Sequence, residues 1–351
     1  MKGVNMVMFY LLSLLTGVLE CGWIAYGAAN ALPLWEILCY PLAYHFGNLF
    51  PKPFSLSRNM LRIFAAVSAA SAILPVILKL SEFTTFILTC MSLFLLSAVI
   101  QSVRSGLKSD GNRLLKRVFR IGGFALAPLA ALIPFVILFA ASLAALYALN
   151  GYQGKFDFIR LTAQNGYSAT MIFHQLHYFF YAHITLAAMS LLFAKESGFI
   201  GVWSGALLFC GTWVTYMSVE PIFSKRTPKL LCVFYAGHIG ISILLFAMSL
   251  ITCKPLFIFL WVMTGFGGGV VYTISAKAKK AKSYDKDSMT VSENIGHTAG
   301  LLIAVGAAAV FGAESPQIML VFGSVSAVST VISMIFNCRK EDHNETVRNK
   351  G

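Results

Sequence analysis

Apolar residues in this chain come in long unbroken blocks, not in the one-sided spacing of a surface helix or the alternation of a half-buried strand. Blocks near 5–28, 31–50, 62–80, 82–103, 169–194, 198–218, 230–252, 255–275, 297–313 and 315–337 carry few charges. A hydrocarbon core about 30 Å thick takes roughly 20 helical residues, so each block predicts one transmembrane helix. The first follows Met1 and Lys2 directly and has no small-residue cleavage site after it, so it reads as a retained span and not a signal peptide. The stretch 118–150 is too long for one comfortable helix and short for two.

Charge decides the parity of that stretch. If 118–150 is a tight hairpin of two short helices, turning after Pro134, then both ends and the segments 51–62, 104–120, 150–168, 219–229 and 276–296 share one side. That side holds 24 of the 27 Lys and Arg, leaving Lys79, Lys195 and Lys254 opposite. A single pass would instead place Lys225, Arg226, Lys229 and the run Lys277, Lys279, Lys280, Lys282 and Lys286 outside. The bias of Lys and Arg towards the cytoplasm selects the hairpin. The expected fold is therefore an all-α integral membrane protein with about 12 transmembrane helices, 11 if the hairpin fails, and both termini cytoplasmic.

Composition agrees with a chain dissolved in lipid: 58% hydrophobic, 12% charged, mean hydropathy +0.75. Soluble domains carry roughly 25% charged residues. The net charge of +13 is then explained by loop topology and needs no nucleic acid, although the 277–286 cluster suits anionic lipid headgroups. The seven cysteines include no CxxC pair and no metal-finger spacing; Cys21, Cys39, Cys90, Cys210, Cys232 and Cys253 sit in or beside apolar runs and read as small hydrophobes. The sequon at Asn344 falls in the polar tail and should be unused.

The chain also repeats. A shift of 168 lays spans 5–28, 31–50, 62–80 and 82–103 onto 173–196, 199–218, 230–248 and 250–271, and the basic loop at Arg58 onto Lys225-Arg226. At a shift of 174, Arg120-Ile-Gly-Gly parallels Asn294-Ile-Gly-His. Two six-helix pseudo-repeats in one orientation result: an N-terminal bundle 1–150, a cytoplasmic linker 151–168, a C-terminal bundle 169–337 and a polar tail 338–351.

This plan, the basic loops after the second and eighth spans, and the Gly-rich tenth span with its basic loop resemble the major facilitator superfamily over nearly the whole chain. The family's loop signature survives as Gly47, Lys52, Arg58 and Arg62 without its Asp, and Ala125-Leu-Ala-Pro128-Leu-Ala-Ala131 faintly echoes the fifth-span antiporter signature. The resemblance implies that the first, fourth, seventh and tenth spans line a central cavity.

Glu20 is the cleanest ionisable residue within a span, and such groups cost about 2.5 kcal/mol or more at the bilayer centre unless a partner or cavity receives them. On the cavity side it can exchange a coupling proton; at the external end it merely snorkels. In the seventh span, His174 and His177 share a helical face flanked by Gln175, Tyr178 and Tyr181. His183 lies half a turn round, so a three-His metal site on this helix alone is geometrically poor. A polar cavity wall fits better, with His177 a second candidate for proton coupling; interhelical hydrogen bonding is the plainer alternative. His45, His238 and His297 lie on other spans, where pairs from different helices could clamp a haem. In the tenth span Trp261 and Tyr272 bracket Gly265, Gly267, Gly268 and Gly269. These glycines, with Gly122 and Gly123, suit close helix contact or gating, and Arg120 is the basic-loop residue that could point inward at an anionic group.

The functional expectation is a secondary transporter working by alternating access, proton-coupled, with export favoured over uptake. It would have no enzymatic activity, no cofactor and no metal. Its partners would be a small-molecule substrate, a proton or other coupling ion and the lipid bilayer, with no nucleic acid, and it would act as a monomer in a bacterial inner membrane. The alternatives are a membrane-embedded redox protein with His-ligated haem or metal, and a transport-inactive scaffold on the same fold.

Overall fold

In a computed structural model, residues 2–51, 56–106, 113–151, 166–224, 230–278, 286–312, 317–318, 320–332 and 335 are described. Their regular structure is entirely helical. In chain order these are α1 (Lys2–Ala29), α2 (Leu34–Leu49), α3 (Arg58–Leu78), α4 (Glu82–Gly106), α5 (Arg113–Leu126), α6 (Pro134–Ala148), α7 (Gly166–Ser197), α8 (Phe199–Ser224), α9 (Leu230–Ser249), α10 (Lys254–Ala278) and α11 (Lys286–Phe311), followed by α12 (Leu320–Ile332). Six are long and apolar enough to cross a membrane, and α6, α9, α10 and α12 contribute shorter apolar stretches. These are the helices of a multi-pass membrane protein.

The boundaries have local causes. The side chain of Ser57 accepts a hydrogen bond from the Met60 N–H at 3.2 Å and starts α3. Lys79 ends it in the left-handed region at φ 47°. The tight joint between α7 and α8 is Gly198, at φ 58°, a conformation a glycine adopts without strain. One helix departs clearly from the hydropathy pattern: α11 begins at Lys286, eleven residues before the apolar block, because its first turns carry Lys286, Asp287 and Glu293.

The ambiguous block is two helices. α5 runs into a 3₁₀ turn at Ala127–Ala131, and Pro134 opens α6. The break therefore lies ahead of Pro134, not after it as the sequence suggested. Proline is accepted in the first turn of a helix, where its missing N–H has no partner to lose, and it forces its predecessor Ile133 out of the helical region, to φ −134° and ψ 53°. The block also returns to the end it started from. Arg58, at the start of α3, donates to the Asn150 carbonyl at 3.0 Å, and Arg62 donates to the Asn150 side chain at 3.3 Å. The short α3–α4 connection places the end of α4 beside the start of α3, so α5 leaves from the level to which Asn150 returns.

The chain divides into two compact units, Met1–Ile159 with Leu186–Leu207, and Arg160–Thr185 with Leu208–Gly351. The expected linker 151–168 and the tail fall almost wholly outside the described residues. In the first unit α1 packs chiefly on α5 and the 3₁₀ turn, and α3 packs on α4 and α6. Large apolar side chains such as Ile200 and Val310 are about three-quarters exposed, at 75% and 76%, while serines are buried between helices. That distribution belongs to a solvent of lipid, where association rests on close packing and interhelical hydrogen bonds.

Candidate functional site

In the first unit, glycines set the geometry. A Cβ on Gly17 of α1 would overlap the backbone carbonyl of Arg120 and meet Gly123 Cα at 3.0 Å; one on Gly123 would overlap the Leu14 carbonyl. The backbones of α1 and α5 therefore touch. Three residues on from Gly17 comes Glu20, 3% exposed, and three before Gly123 comes Arg120. The Arg120 guanidinium donates to Glu20 Oε2 at 2.5 Å. Nε2 of buried His45, on α2, lies 3.7 Å from the other carboxylate oxygen. One turn back along α1, Arg104 of α4 donates to the Thr16 hydroxyl at 3.1 Å. Two arginines, a carboxylate and an imidazole thus meet inside an apolar bundle. Gly122 differs from its neighbour, since nothing lies within 4 Å of a Cβ there.

In the second unit the α7 string organises a different chemistry. His174 and His177 do share a face, and the third imidazole comes from His238 on α9, while His183 bonds locally to the Phe179 carbonyl. The three ring centroids are 4.9, 5.0 and 5.4 Å apart, and all three residues are buried. His174 Nδ1 and His238 Nε2 are 2.9 Å apart, so they share a proton. One ring nitrogen from each residue lies within 4.8 Å of one from each of the others.

The tautomer of His177 follows from its neighbours. Its Nδ1 faces the Phe173 carbonyl at 3.3 Å and the Thr330 hydroxyl oxygen at 3.4 Å. The Thr330 hydroxyl donates to the Ser326 carbonyl, so both neighbours of Nδ1 act as acceptors. Nδ1 must then carry the hydrogen, and Nε2 presents a lone pair. Nε2 is buried and has no hydrogen-bond partner among the described residues.

Gln175, on the same helix, accepts from His297 Nε2 of α11 at 2.9 Å, and His297 stacks on Phe179 at 3.8 Å. Cβ atoms on Gly296 and Gly300 would run into the α7 backbone at Ile172 and Leu176, and the one on Gly296 also into Gln175 Cβ. Tyr181 stacks on His177 and meets Trp261 edge-on, both being 2% exposed, and Tyr178 adjoins Tyr181. The tenth-helix glycines are packing surfaces. Gly265 and Gly269 abut the α8 backbone, Gly268 faces Tyr216, and Gly267 meets Ile241 of α9. The Tyr272 side chain lies outside the described residues. Nothing along the chain signals a pairing for His45, His238 or His297, because their partners lie far away in sequence.

No protein-family model and no curated protein matches the sequence. Solved structures do match. A nucleoside transporter, NupG, superposes with a TM-score of 0.63 at 12% identity, covering 94% of this chain and 98% of that one. A bacterial homologue of the iron transporter ferroportin, in an inward-facing state, superposes at 0.62 and 13% identity, covering 95% and 98%. The human organic anion transporter MFSD10 follows at 0.54 and 10% identity, covering 89% and 83%. The chain has the major facilitator fold that these transporters share.

Proposed function

We propose that the protein is a proton-coupled secondary transporter that carries a small molecule across a bacterial inner membrane by alternating access. The observation that carries this reading is the Glu20–Arg120 pair between α1 and α5, its carboxylate buried and its guanidinium partly so, within a fold whose solved examples are transporters. Burying an ion pair in an apolar bundle is a poor way to gain stability, and ionisable groups at membrane depth cluster on transport pathways. A proton delivered to Glu20 cancels its charge and releases Arg120, which can then engage an anionic group on the substrate. His45, 3.7 Å from the carboxylate, is placed to pass that proton. Deprotonation restores the pair and resets the carrier.

The arrangement reads as twelve spans in two six-helix halves, with both termini cytoplasmic and the protein acting as a monomer. Two features support the halves: the return of the α5–α6 block to its starting level, and serine contacts joining the third helix to the sixth in each half. Those contacts are Ser68–Ser142 at 2.9 Å and Ser242–Ser324 at 2.7 Å. The residues proposed to meet substrate are His174, Gln175, His177, Tyr178 and Tyr181 on α7, with Trp261 and Tyr272 on α10, and His177 is a second candidate for proton coupling. The glycines of α5 and α10 let helices slide or bend. Export is favoured by the interrupted fifth helix around Pro128.

The test uses proteoliposomes with an entrapped pH dye, offered the classes of solute named for the structural neighbours, namely nucleosides, iron and organic anions. Solute-driven proton movement, lost in Glu20→Gln with monodisperse protein, is the expected result. Solute flux with no proton movement would remove the coupling, and no flux for any class would favour the scaffold alternative.

A further inference from the structure

The transporter reading does not explain why three histidines of the second unit converge on one another. His174, His177 and His238 form a triangle of buried imidazoles within the second unit, at the packing of α7 against α9. We infer that this triangle is a binding site for a divalent first-row transition-metal ion held by three ring nitrogens, with its fourth position open to water or an anion.

Three observations support the site. The first is convergence: one nitrogen from each ring already lies within 4.8 Å of one from each of the others. Three nitrogens bound to a tetrahedral ion at about 2.0–2.1 Å stand roughly 3.3–3.4 Å apart. The His174–His238 pair, at 2.9 Å, is closer than that, and all three nitrogens lie within 4.8 Å of one another, so loading needs only small ring movements. The second is the state of His177. Its Nδ1 hydrogen is fixed by the Phe173 carbonyl and the Thr330 hydroxyl, the outer arrangement that holds a ligating imidazole in its metal-binding tautomer. The third is the lone pair this leaves. Nε2 of His177 is buried with no hydrogen-bond partner among the described residues, and a buried acceptor without a donor is expensive unless something fills its place.

The donor set names the ligand class. Imidazole nitrogens suit zinc, cobalt, iron, nickel and copper, and the absence of carboxylates from the triangle argues against magnesium and calcium, which want oxygen. Three neutral imidazoles leave the ion's charge uncompensated, which favours an anion or hydroxide in the fourth position. The site ties α7 to α9 across 61 residues of sequence, and it stands whether or not the protein transports anything.

The probe is Co²⁺, whose visible absorption is intense in tetrahedral nitrogen coordination. Full-length protein carrying a histidine-free purification tag is stripped with chelator in detergent and titrated. One Co²⁺ per chain, with the tetrahedral spectrum and displacement by Zn²⁺, is expected. His177→Ala and His238→Ala should each weaken binding by more than the ~10–100-fold that outer changes produce. Thr330→Val should fall within that range, and His343→Ala, in the tail, should leave binding unchanged. His238→Cys should keep the ion and add a sulfur-to-cobalt charge-transfer band, a gain that a purely structural histidine would not yield. Absence of stoichiometric uptake by the unmodified protein overturns the site however the variants fold, and so does a spectrum unchanged in His177→Ala.

Discussion

The two units build the same kind of helix crossing and fill it with different chemistry. In the first, Gly17 and Gly123 bring α1 against α5, and the side chains beside the crossing are a charged pair, Glu20 and Arg120. In the second, Gly296 and Gly300 bring α11 against α7, and the side chains there are a neutral amide and an imidazole, Gln175 and His297. Small residues fix how closely two helices approach, and the polar residues one turn away decide what the contact can do. The bond from His297 Nε2–H to the Gln175 amide oxygen is available to the neutral and the protonated ring alike. An ion pair adds a state that a proton can switch.

The sharpest way to break this comparison is to remove one partner from each crossing. Arg120→Ala leaves Glu20 buried without its guanidinium and should destabilise the protein by about 3–5 kcal/mol. Gln175→Leu loses one neutral interhelical bond and should cost on the order of 1 kcal/mol. Thermal unfolding in detergent measures both, and adding Glu20→Gln to Arg120→Ala should recover much of the loss. Equal effects at the two crossings would mean that the charge of the first carries no special weight.

Much of this fold could be read from the sequence. Apolar blocks of bilayer length give helices directly, and the distribution of Lys and Arg over the loops favoured a hairpin over 118–150, where two helices, α5 and α6, do lie. The position of the break did not follow, because Pro128 and Pro134 each fit a helix start and only the local backbone chooses between them. Glu20, His174 and His177 stood out as polar residues within apolar spans. Their partners did not: Arg120 is 100 residues from Glu20, and His238 is 64 from His174. A lone histidine in an apolar helix carries no mark of which neighbour it will meet, so the triangle became visible only once α7 and α9 were side by side.

Adjacent glycines offer a finer cut. A methyl group on Gly123 must displace the α1 backbone, whereas nothing lies within 4 Å of the same atom on Gly122. Overpacking of a rigid contact costs about 1–3 kcal/mol, so Gly123→Ala should lower the unfolding temperature and Gly122→Ala should leave it unchanged or slightly raised, since alanine is the better helix former. In the second unit Gly300→Ala should behave like Gly123→Ala, because its methyl would run into the Leu176 backbone. If all three variants unfold together, close backbone contact is not what holds these crossings.

The smallest effect separates the serine contacts. Ser92 donates to the Ser68 carbonyl and Ser142 to the Leu138 carbonyl, so the single Ser68 hydrogen is left to bridge α3 to α4 or α6. Ser242 and Ser324 instead exchange side-chain-to-carbonyl bonds with each other and involve only two helices. Interhelical hydrogen bonds in membranes average about 0.6 kcal/mol. Ser242→Ala should cost about that much, because Ser324 keeps its own bond to the Ser242 carbonyl. Ser68→Ala should cost more, since it removes the hydroxyl that reaches both α4 and α6. The order of the two unfolding temperatures, with Ser68→Ala the lower, checks whether the three-helix knot of the first unit is tighter than the two-helix clasp of the second.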